Sequence, residues 1–205
     1  PIMSVLCNEE FEQLSPSERL YAYYFYRASW EGAKIDYFQK SFESPALFTI
    51  IQLIFSNGVE SLKARCLSNG ITEAEWTQIT VYVSSVLNNC GNFKSFGDTK
   101  FVPEFSQDVF SKLIKLAPSY SVYSQLLDSL WETIKQNVYE YEGSQQKIGF
   151  PDKGGFSGFY SGDLKTDEIE DVDEFLKIRN LSTLNTRVIK RGKEDFLILV
   201  ASANL

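Results

Sequence analysis

The 205 residues are 43% hydrophobic and 23% charged, enough apolar mass for one good core, or for a helical domain with a small appendage. A balance of 27 acidic to 20 basic residues leaves a net charge of −7 with no basic stripe, which argues against nucleic acid and anionic membranes as partners. The chain has no histidine, which excludes a complete Ser-His-Asp triad or a histidine-ligated metallohydrolase centre.

The opening Pro1-Ile2-Met3-Ser4 is no secretion signal and reads as a trimmed or internal start. Cys7, Cys66 and Cys90 are odd in number and far apart, which suits three reduced thiols in a cytoplasmic protein. No apolar run has transmembrane length. Ser15-Pro16-Ser17-Glu18 then marks a helix start, with a capping Ser, Pro at the first helical position and Glu three residues after the cap. The stretch 19–40 should follow as a helix with an apolar face of Leu20, Tyr23, Tyr24, Ala28 and Ile35. Ser44-Pro45 opens a second helix that stops at Asn57-Gly58, and a short third runs from Val59 to about Asn69-Gly70. Thr72-Glu73-Ala74-Glu75 caps a fourth, ending near Asn89.

Segment 88–103 has neither helical nor strand periodicity. It mixes Phe93, Phe96 and Phe101 with Lys94, Asp98 and Lys100, as a loop lining a cleft would, or as a connector plugging the core would. Two helices follow, at 107–116 and 122–141, separated by Pro118. From Gly149 the texture changes, with five glycines up to Gly162 punctuating short aromatic pieces that suit strand entry and tight bends. Thr166 should cap an acidic helix over 167–178. The runs 186–190 and 196–201 should pair as a hairpin across Arg191-Gly192-Lys193-Glu194. The expectation is an α+β chain: a helical N-terminal bundle at 1–148, then the first strands of a small β-barrel or sheet with one acidic helix at 149–205.

No catalytic motif emerges from the residues alone. The acidic run Asp167 to Glu174 lacks the alternating ligands and central Gly of an EF-hand, and reads as a solvated helix face. Gly155-Phe156-Ser157-Gly158-Phe159 misses the Gly-x-Ser-x-Gly elbow, because Phe stands at the last position. No Walker A or Gly-x-Gly-x-x-Gly sequence is present, and no zinc ligand set can be assembled.

Several blocks are nonetheless similar to those of one family. Asn89-Cys90-Gly91-Asn92-Phe93-Lys94-Ser95-Phe96-Gly97-Asp98-Thr99-Lys100-Phe101-Val102-Pro103 resembles a signature stretch of the dipeptidyl peptidase III enzymes. Leu14 to Tyr23 followed by Arg27 to Gly32 resembles their opening helix. Phe156 to Gly162 resembles their Tyr-Phe-Ser-Gly-Asn region, with Asp163 where Asn is expected. Leu181 to Lys190 resembles their Leu-Ser-x-Tyr-Asn-Thr-Arg-Leu-Phe-Lys stretch.

The resemblance implies a cytoplasmic zinc exopeptidase, two-lobed and several times longer, that removes dipeptides from the N-termini of short peptides. Its zinc is held in the other lobe by a His-Glu-x-x-Gly-His helix and a later Glu, none of which occurs here. The chain would then be the opening part of the substrate-binding lobe, holding one wall of the cleft, with no catalytic residue and no metal of its own. Phe96 matches the aromatic of the cleft wall, and Asn92, Lys94, Ser95 and Asp98 match residues that shape its loop. Short peptides would be the partners, shared with the rest of the enzyme, and open strand edges invite self-association. The alternative is a stand-alone, non-catalytic peptide- or protein-binding module descended from that lobe.

Overall fold

The computed structural model describes residues 6–95, 98–183 and 186–200. Its architecture is α+β, with helices leading and an antiparallel pair of strands at the end. After a short α1 (Asn8–Gln13) comes α2 (Pro16–Lys40). The Ser15 hydroxyl accepts from the Glu18 N–H while the Glu18 carboxylate accepts from the Ser15 N–H, so the expected capping box is formed. The expected apolar face of α2 is not buried, however. Leu20, Tyr23, Tyr24 and Ile35 are each about half exposed or more, and only Ala33 and Tyr37 are buried. The reason is that α2 runs past the bundle and packs on α3 by its final turns.

Helix α3 (Ser44–Phe55) forms the centre of the core. Leu47, Ile50, Ile51 and Ile54 recur at helical spacing and are buried, stacking one apolar stripe inward. Helices α4 (Val59–Ser68), α5 (Glu73–Asn89), α6 (Gln107–Leu116) and α7 (Tyr120–Tyr139) close around it. The Phe110 and Trp131 rings meet at 4.6 Å between α6 and α7, and the Trp131 indole N–H donates to the Ser111 hydroxyl. No single described helix is long and apolar enough to cross a membrane.

Beyond α7 lie two short 3-10 turns (Gly143–Gln146 and Pro151–Lys153), α8 (Thr166–Ile178), β1 (Thr186–Lys190) and β2 (Phe196–Val200). The strands pair in register from Thr186 opposite Val200 to Lys190 opposite Phe196. Leu164, Ile169, Val172, Leu176 and Val188 form a second, smaller core where α8 lies on the sheet. Thr166 is not the cap expected of it. It is the first helical residue, and its N–H and hydroxyl both donate to the Asp152 carboxylate at 2.8 Å. A carboxylate at a helix start satisfies a free N–H and favours the helix dipole, so the cap comes from 14 residues upstream.

Candidate functional site

The segment between α5 and α6 is more ordered than its lack of periodicity implied. Helix α5 ends with Cys90 in the left-handed region at φ 50° and Gly91 at φ 136°. A Cβ on Gly91 would fall 2.5 Å from Ser44 Oγ and 2.8 Å from Lys40 Cγ, so both conformation and space demand glycine. The chain then leaves as a short hairpin, with Phe93 paired antiparallel to Lys100. The Lys94 N–H donates to Thr99 O at 2.9 Å and the Phe101 N–H to Asn92 O at 3.0 Å. The 147–156 segment extends this arrangement: the Lys100 N–H donates to Gln146 O, the Ile148 N–H to Asp98 O, and the Phe156 N–H to Lys147 O. The Phe93 and Phe156 rings stack at 6.0 Å, so two of the blocks that carry the resemblance meet here.

The structure sorts the proposed site residues into a buried base and an exposed tip. Asn92 is fully buried, whereas Lys94, Ser95 and Asp98 are exposed. Ser95 is braced by Asn89, whose side-chain oxygen accepts from its N–H at 3.0 Å. Asp98 takes the left-handed conformation at φ 58° as the chain returns. Phe96 lies outside the described residues.

At the base of the hairpin Asn92 joins a polar cluster with Lys100 and Glu43, two residues to which the sequence assigned no role. The side chains of Lys100 and Glu43 are 0% and 2% exposed, and Lys100 Nζ stands 3.2 Å from Glu43 Oε1. The ammonium also donates to Asn137 O at 2.6 Å and lies 5.6 Å from the centre of the Phe93 ring. Asn92 Nδ2 donates to Glu43 Oε1 at 2.8 Å, while its Oδ1 faces the hydroxyls of Ser41 and Ser44 at 3.1 and 3.3 Å. Lys100 could not be singled out as buried from a segment that also holds the exposed Lys94, and its partner lies 57 positions earlier in the chain. Tyr82 is buried beside this cluster. Burial, with the nearby Glu43 carboxylate and the Tyr139 phenol, holds its phenol well above the usual tyrosine range.

On the outer side, α5 and the hairpin enclose an open groove of about 350 Å³, lined by Tyr82, Ser85, Asn89, Lys94, Phe101 and Glu104 among others. Its floor is apolar and its rim carries one cation and one anion. Such a surface offers apolar contact beside one charge of each sign.

A metal centre is not supported by the residues described. Among them no three of Cys, Asp and Glu converge as a ligand set. Cys66 is packed in the core, where burial pushes its thiol up to about 11, far from the thiolate that zinc requires. The donor set present does not fit zinc, and no step through a metal is assigned to this chain.

Sequence matches to known proteins cover both the hairpin and the strand region. The model of peptidase family M49 matches residues 130–205. The chain is 35% identical to dipeptidyl peptidase 3 of Nematostella vectensis over 97% of its length, and 33% and 32% identical to the proteins of that name from Rattus norvegicus and Homo sapiens over 98%. The chain is similar to peptidase family M49. The resemblance drawn from the motifs is therefore borne out, and the similarity runs through the hairpin as well as the C-terminal strands. The chain spans 28% of the length of each of these relatives.

Proposed function

We propose that this chain is the opening part of the substrate-binding lobe of a dipeptidyl peptidase III-like zinc enzyme, one that acts in the cytoplasm and releases dipeptides from the N-termini of short peptides. In this reading the hairpin tip forms one wall of the peptide cleft, with Phe96 against the peptide and Asn92, Lys94, Ser95 and Asp98 holding the loop. The chain contributes no catalytic group. The zinc ligands, the activated water and the groups that grip the peptide N-terminus belong to polypeptide outside these 205 residues. The observation that carries the reading is the match along 97–98% of the chain to proteins more than three times as long. The exposed Lys94, Ser95 and Asp98 above a buried base support it, because side chains held on a fixed frame meet a peptide at low entropic cost.

The test is made on the full-length protein that carries this chain, loaded with zinc and given short peptides. Release of N-terminal dipeptides is the expected result, and a protein that releases none overturns the reading. Phe96→Ala should then weaken peptide binding or turnover while stability falls by less than about 1 kcal/mol. A core ring would cost roughly 3–5 kcal/mol instead. A large drop in Tm with unchanged kinetic constants would remove Phe96 from the cleft.

A further inference from the structure

The buried pair at the base of the hairpin is an unusual use of charge. Taking an ammonium and a carboxylate out of water is costly, and well-packed apolar side chains of the same volume would often be at least as stable. What an ion pair adds is direction. The Lys100 ammonium is surrounded on three sides by different parts of the fold: the Glu43 carboxylate at the α2–α3 junction, the Asn137 carbonyl near the end of α7, and the Phe93 ring across the hairpin. Asn92 ties the other strand of the hairpin to the same Glu43 oxygen. Both strands are thus held to one carboxylate, and neither can slide or tilt without stranding a buried charge.

We propose that Lys100 and Glu43 are positioning residues, a buried clamp that fixes the orientation of the 93–100 hairpin on the helical frame and so sets where its tip meets a bound peptide. The clamp stands on the geometry above. Its consequence for the peptide rests on the function proposed in the preceding subsection. The tip residues Lys94, Ser95 and Asp98 are exposed. Besides the bonds between its two strands, the hairpin is tied to the end of α5 by Ser95, which bonds Asn89, and to the 146–148 segment by backbone bridges. None of these fixes its base against α3 and α7 as the buried pair does. Without the clamp the hairpin would keep its own pairing and lose its aim. A displacement of about 1 Å at a substrate contact can cost as much as about 100-fold in rate, so aim matters.

The test compares wild type, Lys100→Met and the double variant Glu43→Gln/Lys100→Met in the full-length protein that carries this chain. Lys100→Met alone leaves a buried carboxylate without its cation and is expected to lower Tm. The double variant removes both charges and is expected to regain most of that loss. Two readouts are taken on the double variant. Hydrogen exchange of peptides covering 92–101 should quicken about tenfold or more while peptides from α5 keep their protection. KM for a short peptide should rise about tenfold with kcat within about threefold, because the tip holds the peptide and supplies no group to the reaction. Wild-type exchange in 92–101 overturns the clamp. Quickened exchange with an unchanged KM overturns its role toward the peptide. A wild-type protein that releases no dipeptide defeats the proposed function instead, and the exchange readout still decides the clamp.

Discussion

At the scale of single residues, the interior carries polar atoms under unequal conditions. Lys100 and Glu43 satisfy each other, but the Tyr82 hydroxyl is buried and has no hydrogen-bond partner among the described residues. Burial first, then Glu43 and Tyr139, holds this phenol well above its ordinary value. In the unfolded chain a tyrosine ionises near pH 10. Between that pH and the higher folded value the native state keeps a proton that the unfolded state has released. The contribution of Tyr82 is therefore fully present below about pH 10 and is lost as the pH rises beyond it. Urea unfolding from pH 9 to pH 11.5 should show stability falling on this limb, by up to about 1.4 kcal/mol per pH unit for this one group. Tyr82→Phe should flatten the fall. Equal slopes for the two proteins would mean that the phenol is hydrated or paired.

At the scale of elements, the starts of α2 and α5 are set by short-range bonds that read directly from sequence. Thr72 Oγ1 accepts from the Glu75 N–H at 3.2 Å, and the Glu75 carboxylate accepts from the Thr72 N–H at 2.8 Å. Helix α5 buries Trp76, Ile79, Tyr82, Val83 and Val86, so loosening its first turn disturbs the main core. Thr72→Ala should cost about 1 kcal/mol of global stability, within a range of about 0.5–2. The matching box at Ser15 opens a helix whose first half is exposed, so Ser15→Ala should fray α2 locally and leave the urea midpoint nearly unchanged. A loss from Thr72→Ala no larger than that from Ser15→Ala would show that the α5 start is not coupled to the core.

At the scale of the whole molecule, the apolar interior is divided unevenly. Among the described residues, the main core draws on α2 to α7, whereas the second core rests on five buried side chains, from Leu164 to Val188. The sheet beside it has two strands, with Ile189, Leu199 and Val200 exposed. So small a core and so narrow a sheet give little cooperative stability. Hydrogen exchange in the 205-residue chain should run faster in α8, β1 and β2 than in α3 and α5. Equal protection in both regions would mean that the strands have found further partners, and the outer edge of β2 then points to self-association, which sedimentation velocity would detect; β1 is already bridged to 159–161.

Much of this protein was legible from the order of its residues. Helices α3, α5 and α6 and the pairing of β1 with β2 fall within a residue or two of where spacing and capping put them. The reason is that their signals are local: a cap reaches three residues, an apolar stripe repeats within two turns, and a strand alternates within five. The motif blocks pointed to the family because they are contiguous. What the sequence could not express are the contacts between distant positions. The exposure of α2 depends on where the bundle ends, not on the composition of the helix. The cap on α8 comes from Asp152, and Thr166 offered the nearer, wrong answer. Segment 88–103 reads as irregular because its order lies in bridges to 146–156 and in one buried carboxylate at position 43, contacts that carry no periodicity. Only the tertiary structure could bring Glu43, Asn92, Lys100 and Asn137 together, since whether a charge is buried or solvated is settled by its neighbours in space rather than by its neighbours in the chain.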